Sequence, residues 1–426
     1  MFNKVARPLL VCLGLGLCWG TASWAQNPAA HLPYQVRPGD TLLNIMTRYL
    51  HPTVSVRQLQ TLNGLRNADI IGVGQTLLLP REAVRTTLGQ ARVSQVRCGQ
   101  PMNVRGKRLE PGVVLQENDR VEVPAGCSVA MVLDDGSVLT VPSGGELEFQ
   151  RLRNNPLEAT PDVRALIRGG RVQVSVNEAM GRTAPFEIST PKVVMGVRGT
   201  EFRTSFEALE EQSLVEVLQG KVAAGQRTRP LPAGRGLGFG RAGRAEIDEA
   251  LLPPPVPRFV STTGTQWRLS VRTSPLTQVL LSRSSDNATF AELPAASELY
   301  SSDLAIAAPG AMAVFYEWVA VSANGLQGMP GRYGLCPMAS TGCNAVFVSP
   351  LATTQVQRFR LQRLGGGYDE SVNLAGGAFY DAATVVMAGL RAGRYKWQFS
   401  VPNSAVGAGV VQQSGEFVLL EAPASR

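Results

Sequence analysis

The sequence predicts a multidomain, mainly β protein. A small strand–helix–helix–strand module comes first, then an all-β domain, then two β-sandwich-like domains. Three observations lead there. Across residues 34–80 the apolar spacing changes from strand to helix and back within a short stretch. Across residues 91–224 short apolar runs alternate with turn residues. A Pro-rich stretch at 251–257 then precedes a third in which a Trp-centred strand occurs twice. At 426 residues the chain is long enough for about two to four domains, and 44 glycines with 6% aromatics suit small β domains rich in turns.

Residues 1–25 read as a secretory signal peptide. Lys4 and Arg7 precede an apolar run at 9–20, and the small residues Ser23 and Ala25 mark cleavage before Gln26. The run is too short to span a bilayer, and no later stretch is long enough. Leu17 is too large a neighbour for Cys18 to carry a lipid anchor. The mature chain is expected to be exported without a transmembrane segment.

The first module is built from Tyr34-Gln35-Val36-Arg37 as a strand, broken by Pro38 and Gly39. Asp40 or Thr41 caps the helix that follows, whose Leu42, Ile45, Met46 and Tyr49 recur at helical spacing. A second helix carries Val56, Leu59 and Leu62 and stops at Asn63-Gly64, residues that tolerate the left-handed conformation. Gly74-Gln75 leads into the strand Thr76-Leu77-Leu78-Leu79, closed by Pro80.

The GDTL at 39–42, the NGL at 63–65 and the I-x-x-G-Q-x-L-x-x-P over 71–80 resemble a LysM module. That family binds N-acetylglucosamine-containing glycans such as peptidoglycan. The resemblance implies a module at 31–82 with the sugar in a shallow groove between two loops. Gly39, Asp40, Thr41 and Leu42 form one loop; Asn67, Ile70, Ile71 and Gly72 lie in the other. Backbone groups free at helix ends suit acetamido groups, and the isoleucines suit the methyl. Leu42 and one of the isoleucines are equally readable as core.

Residues 90–245 read as one all-β domain. Asp134-Asp135-Gly136-Ser137 lies between alternating runs and marks a hairpin. Gly169-Gly170 is a second turn, followed by Val172, Val174 and Val176 at period two. Asp135-Gly136-Ser137, Gly170-Arg171-Val172, Phe186-x-Ile188-x-Thr190-Pro191, Val197-Arg198-Gly199-Thr200-x-Phe202 and Val215-x-Val217-x-x-Gly220-x-Val222 resemble the FecR family. The family's members are periplasmic signal transducers, typically with a cytoplasmic anti-sigma segment and one transmembrane helix before this domain. Here a signal peptide and a glycan-binding module stand in that place. The resemblance implies a β scaffold and an envelope partner, and names no catalytic residue. Arg198-Gly199-Thr200 reads as a turn.

The stretch 246–257 is expected to be a semi-rigid linker. Beyond it, Phe315-Tyr316-Glu317-Trp318-Val319 precedes Gly325 and Gly328, and Tyr395-Lys396-Trp397-Gln398-Phe399 precedes Gly407 and Gly409. Pro309-Gly310 and Ala392-Gly393 introduce the two strands, and Trp318 and Trp397 stand 79 positions apart. Two sandwich units, 258–348 and 349–422, are expected, weakly similar to fibronectin type III domains.

Cys12 and Cys18 leave with the leader. Cys98, Cys127, Cys336 and Cys343 remain, an even number in an oxidising compartment. Neighbourhood favours Cys98–Cys127 and Cys336–Cys343; the other connectivities would tie separate domains together. His31 and His51 are the only histidines and no cysteine pair has metal spacing, so neither zinc nor another cofactor is expected.

The formal charge of +8 falls to +6 without Lys4 and Arg7. The run Arg227, Arg229, Arg235, Arg241, Arg244 has no interleaved aromatics, which argues against nucleic acid and for a solvated hairpin. Glu146 with Glu148 and Glu210 with Glu211 are the nearest to a paired-acid site, yet sit in ordinary strand or turn contexts. No enzyme is expected. The expected role is a non-catalytic, periplasmic, cell-wall-associated peptidoglycan-binding protein. Alternatives are a FecR-type envelope signalling or sensing component without its own membrane helix, and a structural adhesin.

Overall fold

A computed structural model describes residues 30–158, 160–177, 184–227, 229–262, 266–272, 278–284, 291–292, 303–307, 312–336, 342–348, 357–374, 384–401 and 410–421. The expected signal peptide, Pro309-Gly310, Gly407 and Gly409 lie outside the described residues. The chain divides into two compact units, Met1–Arg85 and Thr86–Arg426.

In the first unit, strand β1 (His31–Gln35) pairs antiparallel with β2 (Thr76–Pro80), Tyr34 opposite Leu77. Helices α1 (Leu42–Tyr49) and α2 (Val56–Asn63) lie between them in sequence. Thr41, not Asp40, caps α1, accepting from the Asn44 N–H at 3.1 Å. Ser55 and Gln58 form a reciprocal capping box on α2, and Gly64 ends it in the left-handed region. Leu32, Tyr34, Val36, Leu42, Ile45, Leu59, Leu77 and Leu79 are buried. Asn63 does more than end a helix. Its amide donates to Leu59 O at 2.9 Å and Leu78 O at 3.0 Å, and its Oδ1 accepts from the Leu78 N–H. The module runs past 82: Val84 is buried, forms a bridge with Leu50, and the Arg85 N–H donates to Tyr49 O.

The second unit begins with an all-β region organised by one long strand, Asp162–Ser175. Its first half pairs with Glu146–Asn154 and, in parallel, with Phe186–Ser189; its second half pairs with Val138–Val141 and Glu201–Glu207. The change of partners falls at Gly169-Gly170. Gly170 has φ +61°, and a Cβ there would collide with the Gly144 carbonyl. One core joins both arms: Leu147, Phe149, Val163 and Ile167 from one, Val129, Met131, Leu139, Val174, Phe202 and Val215 from the other. The strand Ser128–Leu133 is buried along both faces, so Ala130 and Val132 are interior where alternation alone would place them outside.

The segment 246–257 differs from the expected linker. Ala245–Ala250 is a strand paired with Arg235–Phe239, and Val256 already begins the next strand, Val256–Thr262. Glu246, Asp248 and Glu249 interrupt Ala245, Ile247 and Ala250, and none of the six is fully buried, so the apolar signal is too weak to mark a strand and the stretch reads as linker. The residues between are held as well: the Leu251 N–H donates to Gly234 O, and Leu252 O and Pro255 O accept from the Met329 N–H and Tyr333 OH.

Beyond lie two cores. Trp318 sits with Trp267, Leu269, Leu281, Tyr316 and Tyr333; Trp397 sits with Phe347, Phe359, Tyr395, Phe399 and Phe417. The boundary at 348/349 is corrected. Cys343–Val348 pairs with Thr384–Leu390 and buries Ala345 and Phe347 in the second core. The two cores also share a sheet, because Gly331–Cys336 pairs in parallel with Val410–Glu421. Cys98–Cys127 and Cys336–Cys343 form disulfides. Among the described residues no helix is long and apolar enough to cross a membrane, which says nothing of a β-barrel.

Candidate functional site

In the first unit the loop after β1 and the loop before β2 leave the same end of an antiparallel pair, so they are neighbours by construction. The pairing continues past the strands: the Val36 N–H donates to Gln75 O at 2.9 Å, and the Gly74 N–H to Val36 O at 2.8 Å.

The first loop is built by its own side chains. Gly39 takes φ +85° at an exposed turn. Asp40 accepts from the Arg37 N–H at 2.8 Å and from the Tyr34 hydroxyl at 2.7 Å. The Tyr34 hydrogen bond first, and then the Arg37 N–H, hold the Asp40 carboxyl below the usual carboxylate range. Burial, with Asp40 second, pushes the Tyr34 phenol up to about 12. Thr41 is occupied as the cap. Leu42 is 3% exposed, a core residue whose side chain is no part of a surface groove. Leu42 and Ile45, three apart on α1, are the helix's two buried residues and mark its inward face.

The second loop has the same character. Asn67 Oδ1 accepts from the Asp69 N–H, and Gln75 Oε1 takes the Gly72 N–H at 2.9 Å. Ile71 is half-buried, and Ile70 is 72% exposed. Two exposed apolar residues were not foreseen: Val73, 69% exposed, and Leu43, 65% exposed. Leu43 is legible in hindsight, since it falls off the stripe of Leu42, Ile45, Met46 and Tyr49. Polar groups of both loops thus build the backbone shape, while Ile70, Val73 and Leu43 keep their apolar surface open. Such a surface, beside the first N–H groups of α1 that helix geometry leaves without an intrahelical acceptor, suits a ligand with methyl and carbonyl groups side by side.

Elsewhere the singled-out residues have structural work. The Thr200 hydroxyl lies 3.0 Å from Arg198 O and 2.8 Å from Lys221 O, and Gly220 packs so that a Cβ would lie 2.5 Å from Gly199 O. Asp135 accepts from Ser137 N–H and hydroxyl, and Asn177 closes the same hairpin onto Asp135 O. Glu146 meets Arg120 at 2.8 Å and Glu148 meets Arg168 at 2.5 Å. In the arginine run, Arg227 and Arg235 share Asp248, and Arg241 faces Glu211 at 3.4 Å.

Residues 34–80 match the LysM domain family and residues 119–223 match the FecR protein family. The chain therefore carries both domains, followed by a β-rich remainder. Both are binding or regulatory domains, not catalytic ones. No curated protein matches the chain. Among solved structures, a candidate anti-sigma factor from Parabacteroides distasonis is 21% identical over 31% of this chain and 59% of its own length, with a TM-score of 0.26. The chicken interferon gamma receptor alpha chain is 7% identical over 39% of this chain and 99% of its own, with a TM-score of 0.16. The FN1–FN3 domains of chicken CNTN1 are 8% identical over 64% of this chain and 97% of their own, with a TM-score of 0.15.

Proposed function

We propose that this chain is a non-catalytic periplasmic protein that docks on peptidoglycan through its LysM domain and presents β-rich domains to an envelope partner. The observation that carries the reading is the LysM match at 34–80. The exposed Ile70, Val73 and Leu43 beside two internally satisfied loops support it. Gly39, Asp40, Thr41, Asn67, Ile71 and Gly72 shape the groove, and Ile70 is the apolar contact among the residues expected from sequence. One shallow module binds weakly, so avidity on an insoluble sheet matters.

A second reading, envelope signalling or sensing, is favoured by the FecR match at 119–223. The two are compatible: one domain anchors, the other relays. The test is co-sedimentation of the full chain with purified peptidoglycan, beside fractionation and N-terminal sequencing of the native protein. Recovery in the pellet and a mature start near Gln26 support the reading. A folded chain left wholly in the supernatant would overturn the glycan assignment and leave the FecR domain as the guide to function.

A further inference from the structure

The second unit holds a buried charged seat unlike the rest of its core. Arg203 and Glu216 face each other across the strands Glu201–Glu207 and Gln212–Gln219. They are 4% and 0% exposed. What covers them is a hairpin turn more than a hundred residues away in sequence. Arg203 Nη1 donates to Gln327 Oε1 at 2.8 Å, and its Nη2 donates to Gly328 O at 2.5 Å. The Gln327 N–H donates to Glu216 Oε1 at 3.1 Å. Two charged groups thus read one side-chain carbonyl, one main-chain carbonyl and one main-chain N–H of the same turn.

The shape is matched too. Gly236 lies opposite Glu216 on the strand Arg235–Phe239. A Cβ there would stand 2.9 Å from both Leu326 methyl carbons and from Leu251 Cδ2, so Leu326 fills the space of the missing side chain with Leu251 beside it. Glu249 holds the far side of the turn, accepting from Ser322 Oγ at 2.6 Å and Asn324 Nδ2 at 2.9 Å.

A joint meant to stay shut gains little from such groups. Replacing buried charges by apolar side chains is often neutral or stabilising, because desolvation offsets the attraction. Here the cost is only partly met. Arg203 Nε and Glu216 Oε2 are buried with no hydrogen-bond partner among the described residues. Burial, against the pull of Glu216 and Glu317, lowers the pKa of the Arg203 guanidinium. When the turn leaves, both ions regain water, and Leu326, buried in the seat, is withdrawn with it.

We propose that Arg203, Glu216 and Gly236 form a turn-binding seat of the FecR domain, occupied in cis by residues 326–328, so that the hairpin is an autoinhibitory latch. Released, the seat takes a protein turn of the same chemistry: an aliphatic residue, then glutamine, then glycine. Arg203 and Glu216 lie within the FecR match and Gly236 beyond its end at 223, and the test of the seat does not depend on glycan binding.

The experiment uses the full chain and its Leu326→Asp variant, with a cyclised Ser-Ala-Asn-Gly-Leu-Gln-Gly peptide as probe. In the variant the amides of Gln327 and Met329 should exchange with solvent about tenfold faster or more, while those of Phe202 and Val215 stay protected. The peptide should bind the variant at least about tenfold more tightly than the wild type, whose own turn competes at a high effective concentration. Arg203→Met in the Leu326→Asp background should abolish that binding. If Leu326→Asp also loosens Phe202 and Val215, Gln327→Ala serves instead, with the same expected order. Unchanged exchange at Gln327 in a folded variant would overturn the latch. Faster exchange with no peptide binding, or equal binding to the wild type, would overturn the seat.

Discussion

The Tyr34 hydroxyl donates a 2.7 Å hydrogen bond to Asp40 Oδ2, closing the first loop of the LysM domain across its turn. Residues six apart in sequence thereby lock the backbone that the helix cap Thr41 then continues. Asp40 thus acts as a loop brace, and its titration belongs to the fold.

The pH dependence of this brace follows from the two shifts. The Asp40 carboxyl is held below its ordinary range, so its stabilisation is complete above about pH 4 and is lost as pH falls through its folded value. The Tyr34 phenol is raised to about 12, so its contribution is complete below its ordinary value near 10 and is lost as pH climbs through about 12. The Arg37 amide, which donates to Asp40, reports the acid limb. Its protection in wild type should exceed that in Asp40→Ala at pH 6, and the difference should fade as pH drops through the folded Asp40 value, which lies below the ordinary carboxylate range. A difference that persists in acid would refute the brace.

Groove substitutions should separate contact from fold. Ile70→Asp and Val73→Asp should cut co-sedimentation with peptidoglycan while changing stability by less than about 0.5 kcal/mol, since both positions are exposed. Leu42→Asp should abolish binding by unfolding the module, because it buries an unpaired charge. Asp40→Ala and Ile71→Asp should lose both stability and binding. A thermal melt beside each assay decides which occurred, and undiminished pelleting of Ile70→Asp would remove that residue from the contact.

The two disulfides should contribute unequally. Cys98–Cys127 closes 29 residues and Cys336–Cys343 closes 7. Chain-entropy arguments give about 3.6 and about 2.4 kcal/mol respectively. Replacing the first pair by alanine should lower the denaturant midpoint more than replacing the second. Equal losses would mean that the native packing at each bridge, and not the loop, sets the effect.

Gly170→Ala should be strongly destabilising, by about 2 kcal/mol or more, because it adds left-handed strain to a collision with the Gly144 carbonyl. Gly169→Ala, with nothing within 4 Å of its added carbon, should cost much less. Chemical denaturation of both variants compares them directly, and equal costs would argue against a strand that must bend at Gly170.

Much of this protein is written in local sequence. Pro38-Gly39, Ser55 with Gln58, and Asn63-Gly64 punctuate the first module because breaking, capping and left-handed conformations are properties of single residues and their near neighbours. The hairpin at Asp135-Gly136 and the two tryptophan-centred cores are legible for the same reason. The short loops closed by the cysteines also made their pairing readable. Only the tertiary structure decided which face of each element found a partner. Leu42 and Leu43 are adjacent leucines, yet one is core and the other surface. The strand Ala245–Ala250 exists because Arg235–Phe239 offers it an edge, not because its own polar residues demand one. Cys343–Val348 joined the second core because its pairing strand lies some forty residues onward, at Thr384–Leu390. Arg203, Glu216 and Gly236 carry no local mark of Gln327 at all. Propensity and turn chemistry act over a few residues, whereas burial and charge pairing depend on what the folded chain brings near, and that is where the seat for residues 326–328 was made.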